Sequence, residues 1–140
     1  MIVILLREIM TRRPISVSPE TSLAQARQLL AECRIRRLPV MAGGRLVGIV
    51  SDRDLRSASG RPDQTPVGQI MTRDVVTVTS WTRVDEAARI ILAGKFGGLP
   101  VVDGGELVGI VTETDLLRAF VDVLEAETSE RIAVDFGGAA

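Results

Sequence analysis

The stretch that recurs in this chain is LPVMAGGRLVGIVSDRDL at residues 38–55, which returns as LPVVDGGELVGIVTETDL at residues 99–116. The match extends without a gap over residues 9–55 and 70–116, at a constant offset of 61, and 19 of the 47 positions are identical. Chance does not produce such agreement, so the chain contains two copies of one unit.

Each copy predicts the same order of secondary structure. A short alternating segment, residues 15–18 or 76–79, indicates a brief strand. An amphipathic helix follows, with Thr21 and Thr82 as its predicted N-caps. Two apolar strands then flank a Gly-Gly pair, which is the signal for a tight hairpin, and a second helix begins directly after them. This β-α-β-β-α order predicts a mixed α+β (α/β) fold.

A unit of this length buries too little apolar surface to fold alone, so we expect the copies to pack with pseudo-two-fold symmetry as one body. We predict a first repeat at residues 7–58, a linker at residues 59–69, a second repeat at residues 70–127 and a flexible tail at residues 128–140. Residues 116–124 carry a long apolar face that either covers the end of the core or meets a second subunit.

Composition excludes several classes of function. The chain has 140 residues, no histidine and one cysteine, Cys33, which rules out His-dependent triads, His-containing zinc sites and an internal disulfide. No metal site is expected. No apolar run approaches the roughly 18 residues of a membrane span, and no secretory signal is recognised. A free cysteine suits a reducing compartment, so we expect a cytoplasmic protein.

Charge is distributed unevenly along the chain. Residues 1–70 carry 11 Lys and Arg against 6 Asp and Glu, whereas residues 71–140 carry 6 against 12, and the formal net charge is −1. Arginine matches phosphate geometrically, although a biased genome composition explains the excess equally well. Aromatic residues make up only 3% of the chain, which leaves few stacking platforms, so nucleic acid is not an expected partner.

The duplicated pattern resembles a pair of cystathionine-β-synthase (CBS) domains, known as a Bateman module. The residues that carry the resemblance are Ile-Met-Thr, Leu-Pro-Val, Gly-Gly and Leu-Val-Gly-Ile-Val-(Ser/Thr)-x-x-Asp-Leu, twice in order. The resemblance implies a stand-alone regulatory module that needs no cofactor and is not an enzyme. It also implies an adenosine-containing ligand, namely AMP, ADP, ATP or S-adenosylmethionine, in clefts between the repeats, and assembly as a homodimer.

Two motifs, Ser51-x-x-Asp54 and Thr112-x-x-Asp115, are the main candidate ligand-binding residues. The resemblance implies that the hydroxyl contacts phosphate and the aspartate holds the ribose diol. Unpaired N–H groups at a helix start attract anions, and a carboxylate accepts from vicinal hydroxyls, so this chemistry is reasonable. Ser/Thr-x-x-acid is also an ordinary capping box, and that alternative stays open.

Arginines before the first Leu-Pro-Val strand are candidate phosphate ligands. The resemblance points to Arg36 and Arg37, with Arg34 a looser match; the alternative is a basic helix end that complements the helix dipole. The second copy has Gly97 and Gly98 at the positions of Arg36 and Arg37. We therefore expect two unequal sites, with a weaker case for phosphate beside Thr112 and Asp115.

Three further residues are weaker candidates for the ligand site. Arg53 either reaches the same phosphate or projects into solvent. Ser16 and Thr77 lie on the short first strands, which the resemblance places against the adenine edge, and their simpler role is as polar positions of a half-exposed strand.

Two functions remain after these exclusions. The first is a sensor whose adenosine ligand bridges the repeats and alters what an unidentified partner protein binds. The second is a dimerisation or docking module that binds no nucleotide. An enzyme has little support, because the chain lacks histidine, a carboxylate cluster and an activated nucleophile.

Overall fold

The computed structural model describes residues 2–137 of the chain, with side chains as far as residue 128. Its strands are β1 (Thr11–Arg12), β2 (Arg37–Ala42), β3 (Arg45–Ser51), β4 (Gly98–Asp103) and β5 (Glu106–Thr112). Its α-helices are α1 (Leu23–Cys33), α2 (Asp52–Ser57), α3 (Val84–Gly94) and α4 (Glu113–Gly137). Short 3₁₀ helices at Leu6–Glu8 and Val67–Gln69 lie where the two repeats begin. The mixed α+β fold predicted from the sequence is confirmed.

Both predicted hairpins form. Strands β2 and β3 pair in antiparallel fashion around Gly43 and Gly44, whose φ angles are 59° and 76°, and β4 and β5 pair in the same way around Gly104 and Gly105. Positive φ at both turn positions is what a primed two-residue turn requires, and glycine adopts it without steric strain.

The predicted first strands are much shorter than expected. Residues 15–18 and 76–79 each contact the neighbouring hairpin through a single parallel bridge, Val17 to Val40 and Val78 to Val101. Only the central valine of each segment turns inward, with 8% and 7% of its surface exposed, while the polar neighbours face solvent. One inward side chain anchors each segment, so no continuous strand develops there.

The two predicted N-caps are wrong by one residue. Helix α1 is capped by Ser22, whose Oγ accepts from the Gln25 N–H at 3.1 Å, and α3 follows Arg83 without a side-chain cap. The hydroxyls of Thr21 and Thr82 instead accept from the N–H groups of Ser18 and Thr79. These threonines therefore stabilise the turn that leads into each helix, a common role of such hydroxyls.

The first residues of each repeat pair with the other repeat. Strand β1 pairs with β5, with Thr11 opposite Ile110, and Thr72 forms a bridge with Ile49 of β3. The two pairings correspond, since Thr11 and Thr72 are 61 residues apart and so are Ile49 and Ile110. This is expected for two copies related by an approximate two-fold axis. The repeats are thus interlocked by backbone hydrogen bonds as well as by side-chain packing.

Two strand glycines permit this close approach. A Cβ at Gly109 would lie 2.8 Å from both the Met10 sulfur and the Thr11 carbonyl oxygen, and a Cβ at Gly48 would lie 2.6 Å from the Met71 sulfur. Met10 belongs to the core of the second repeat and Met71 to that of the first. Glycine at these two positions therefore leaves room for the backbone of the other copy.

Helix α4 covers the second core and leaves one side open. Ala119 is buried and Leu116 packs on the core. Of the α4 side chains as far as residue 128, four large apolar ones are exposed: Leu117, Phe120, Val121 and Leu124. The flexible tail predicted at residues 128–140 follows the helix backbone to Gly137, and residues 138–140 lie outside the described residues, so its flexibility stays a prediction. Among residues 2–137, no helix is both long and apolar enough to cross a membrane.

Candidate functional site

A cleft of about 550 Å³ opens where the two repeats meet. The first repeat contributes the loop between α1 and β2, with Arg34, Ile35, Arg36 and Arg37. The chain around β1 contributes Thr11, Arg13, Pro14 and Ile15. The second repeat contributes Gly97 and Ile110 and, at the junction of β5 and α4, Thr112, Glu113, Thr114 and Asp115. Any ligand here would contact both repeats at once.

Thr112 and Asp115 form a closed capping box at the edge of the cleft. Asp115 Oδ2 accepts from the Thr112 N–H at 2.9 Å and from the Thr112 hydroxyl at 3.1 Å, and Thr112 Oγ1 accepts from the Asp115 N–H at 3.2 Å. Within the described residues, Asp115 Oδ1 accepts no hydrogen bond from a side chain or backbone group. Capping thus uses one carboxylate oxygen of Asp115 and leaves the other available. The motif can therefore cap the helix and bind a ligand at the same time.

Ser51 and Asp54 form the same box in the first repeat. Asp54 Oδ2 accepts from the Ser51 N–H at 2.9 Å, and Ser51 Oγ accepts from the Asp54 N–H at 3.1 Å. Neither residue lines the cleft of 550 Å³. In the described structure these two residues are helix-capping residues, and their part in ligand binding stays a prediction.

The arginines of the first repeat lie beside the motif of the second. Arg37 pairs with Ser51 through the backbone of β2 and β3, yet Arg34, Arg36 and Arg37 all line the cleft that contains Thr112 and Asp115. The weaker case for phosphate beside Thr112 and Asp115 rested on the glycines of the second copy and did not foresee that arginines of the first copy lie there. The reason is that the interlocked repeats place the loop before β2 against the other copy.

Charge in the cleft is predominantly positive. Four arginines line it, against the carboxylates of Glu113 and Asp115. Among the residues whose side chains the structure describes, none of these four arginines forms an ion pair with an acidic side chain. Guanidinium groups without a carboxylate partner are suited to binding phosphate.

Arg13 is a cleft residue that sequence reasoning missed. Its φ of 50° lies in the left-handed region, which is unfavourable for a residue with a Cβ. Strained backbone of this kind is concentrated at binding sites. The corresponding residue of the second repeat is Asp74, and this reversal of charge between the copies is the signal that could have found it.

The remaining candidates lie outside this cleft. Arg53 is exposed, and its N–H donates to Asp52 Oδ1 at 2.8 Å, while its counterpart Thr114 does line the cleft. Ser16 and Thr77 are exposed. Ile15, the neighbour of Ser16, lines the cleft instead, as do Pro14 and Thr11. Pro14 and Ile15 give this side of the cleft an apolar wall, which suits the flat face of a base.

A second, smaller depression of about 190 Å³ is lined by Arg7, Met10 and Arg12 from the start of the chain and by Ser80, Asp103 and Val108 of the second repeat. Asp103 accepts from the hydroxyl and the N–H of Ser80, at 2.5 and 2.9 Å, and these hydrogen bonds hold the pKa of its carboxyl below the usual 3.8. In the part of the chain that the structure describes, no cluster of three or more His, Cys, Asp or Glu could hold a metal ion.

The family model for the CBS domain matches residues 6–61 and again residues 67–122. This chain belongs to the CBS-domain family. Two matches in tandem make it a CBS-domain pair, and the resemblance inferred from the repeated motif is confirmed.

Similar proteins extend the comparison. A CBS domain-containing protein of Dictyostelium discoideum is 36% identical over 137 residues, which cover 87% of this chain and 94% of that protein. The crystal structure of the CBS domain pair of protein MJ0100 in complex with 5-methylthioadenosine and S-adenosyl-L-methionine has a TM-score of 0.81 and 32% identity, and covers 86% of this chain and 98% of that one. The crystal structure of CBSX2 in complex with AMP has a TM-score of 0.76 and 36% identity, and the match covers 85% of this chain and 97% of that one.

Proposed function

We propose that this CBS-domain pair is a regulatory, non-catalytic module that binds an adenosine-containing ligand in the cleft between its repeats. The observation that carries the proposal is the meeting of Arg34, Arg36 and Arg37 with Thr112 and Asp115 across the repeat junction. Similar CBS-domain pairs have been crystallised with AMP and with S-adenosyl-L-methionine, which supports the same ligand class here.

Each part of an adenosine nucleotide would have a matching group in the cleft. Asp115 would accept from the ribose hydroxyls through Oδ1, which its capping role leaves available. The arginines and the Thr112 hydroxyl would bind phosphate, since charge-assisted hydrogen bonds to a guanidinium are strong. Pro14 and Ile15 would pack against the base.

Regulation would follow from the position of the cleft. A ligand held by both repeats would favour the arrangement in which the two sets of contacts are satisfied together. Differential binding of this kind typically supplies about 1–3 kcal/mol of coupling. In this proposal a cytoplasmic partner protein senses the arrangement of the repeats.

Calorimetric titration with AMP, ADP, ATP and S-adenosylmethionine tests the proposal. We expect saturable binding of at least one of these ligands, accompanied by a rise in melting temperature. If none of the four produces heat or a thermal shift, the proposal is wrong, and a docking module without a nucleotide becomes the better interpretation.

We also propose that the module is a homodimer joined through α4. Leu117 and Phe120 are 65% and 60% exposed, and Val121 and Leu124 continue the same face at helical spacing. A continuous exposed apolar stripe is characteristic of an interaction surface. Sedimentation equilibrium should give twice the chain mass for the wild type and the monomer mass for Phe120→Glu. A monomeric wild type would contradict the dimer without affecting the ligand proposal.

A further inference from the structure

Gly97 and Gly98 occupy the positions that Arg36 and Arg37 hold in the first repeat. The side chain of Arg37 crosses the junction and lies over these two glycines. A Cβ built at Gly97 would coincide with the Arg37 guanidinium, and a Cβ at Gly98 would lie 3.3 Å from Arg37 Cδ. One repeat thus lacks side chains at the place where the other repeat inserts an arginine.

Backbone conformation does not account for a glycine at position 97. Its φ lies outside the left-handed region, so a residue with a Cβ could adopt the same backbone. What glycine provides here is space, because the atoms that a side chain would meet belong to the end of the Arg37 side chain.

The seated guanidinium has no partner among the residues whose side chains the structure describes. Arg37 is half-buried, and among the described residues its side chain forms neither a hydrogen bond nor an ion pair. Partial burial of a charge is unfavourable unless an opposite charge compensates it. Because Arg37 lines the cleft, an anionic group of a ligand can supply that compensation.

We propose that Gly97 is a positioning residue that seats the Arg37 guanidinium in the cleft and thereby makes the cleft prefer phosphorylated adenosine ligands over adenosine and S-adenosylmethionine. This inference rests on the proposed function. The positive balance of the cleft works in the same direction, since a sulfonium group meets four arginines there whereas a phosphate is attracted by them.

Gly97→Ala is the decisive variant. The clashing atoms are at the end of a flexible side chain, so the added methyl group should displace Arg37 and leave the fold intact. Dissociation constants for AMP, ATP, adenosine and S-adenosylmethionine are measured by calorimetry, with competition for the weak ligands. We expect affinity for AMP and ATP to fall by about tenfold or more, as for loss of one charge-assisted hydrogen bond, and affinity for adenosine to change less than about twofold.

Two further variants separate the role of Gly97 from a general defect. Arg37→Gln should lose the same preference for phosphate. Gly97→Ala introduced into Arg37→Gln should lower the affinity for AMP and ATP by less than about a further twofold, because Gly97 acts through Arg37. Gly60→Ala is the matched control, since a Cβ at Gly60 has no atom within 4 Å and should leave every dissociation constant unchanged.

The outcomes are distinguishable. A wild type that binds none of the ligands overturns the proposed function. A wild type that binds AMP or ATP, together with a Gly97→Ala variant that weakens adenosine and nucleotides equally or not at all, overturns the role of Gly97 alone. If Gly97→Ala does not fold, an unchanged ratio of nucleotide to adenosine affinity in Arg37→Gln overturns the inference.

Discussion

Arg34 and Lys95 end helices α1 and α3 in the same left-handed conformation, with φ of 54° and 55°, but only Arg34 lines the cleft. Each donates its backbone N–H to a carbonyl in the last turn, that of Leu30 or Ile91. Left-handed helix ends favour glycine, so both residues retain a side chain at a cost in stability.

Substitutions of Arg34 and Lys95 should separate an effect on the free energy of unfolding from an effect on ligand binding. Arg34→Gly and Lys95→Gly should each raise the free energy of unfolding by about 1 kcal/mol, because both relieve the same backbone strain. Only Arg34→Gly should weaken nucleotide binding, by removing a cleft guanidinium. Urea unfolding and calorimetry measure the two effects, and equal weakening of binding by both variants would contradict the placement of the site.

The two capping boxes provide a second matched comparison. Asp115→Asn and Asp54→Asn each keep an oxygen that can accept from the N–H of Thr112 or Ser51, so both variants should fold with similar melting temperatures. Asp115→Asn should reduce nucleotide affinity by about tenfold or more, since it removes a charged acceptor for the ribose hydroxyls. Asp54→Asn should change affinity at this cleft by less than about twofold. The reverse order of effects would move the site to the first repeat.

The strand glycines test the interlocked arrangement. Gly109→Ala and Gly48→Ala should each reduce the free energy of unfolding by about 1–3 kcal/mol, because the added methyl group meets a methionine sulfur and a backbone carbonyl. Gly109→Ala should also weaken ligand binding, since it displaces Thr11, which lines the cleft. Chemical denaturation with and without nucleotide measures both. Full stability of the two variants would show that the close contacts do not exist in solution.

The sequence was sufficient for the fold because each local signal agreed with the next. Leu-Pro-Val, Gly-Gly and the following apolar run define one hairpin in each copy, and duplication requires that the copies pack together. Spacing along the chain could not show that Arg37 reaches the second repeat, because its nearest motif in sequence is Ser51-x-x-Asp54. That assignment depends on how the copies interlock, a tertiary property which no periodicity records.

Two smaller misses have separate causes. Thr21 and Ser22 are both good capping residues, and the choice between them depends on which hydroxyl the preceding turn uses. Arg13 could not be recognised from its own repeat, since it reaches the cleft just after β1, which pairs with β5 of the other copy.

The hydrogen bonds between Ser80 and Asp103 predict a loss of stability in acid. The Ser80 hydroxyl and N–H lower the pKa of Asp103 below its usual 3.8 in the folded protein, so the unfolded chain takes up the proton first. Stabilisation by this carboxylate is therefore fully present above about pH 4 and is lost as the pH falls through the folded-state pKa. Asp103→Asn should melt below the wild type at neutral pH, and the difference should shrink on acidification below the usual pKa. Ser80→Ala should behave in the same way because it removes the hydroxyl donor. A difference in melting temperature that stays constant from neutral pH to well below 3.8 would exclude this carboxylate as the source of the effect.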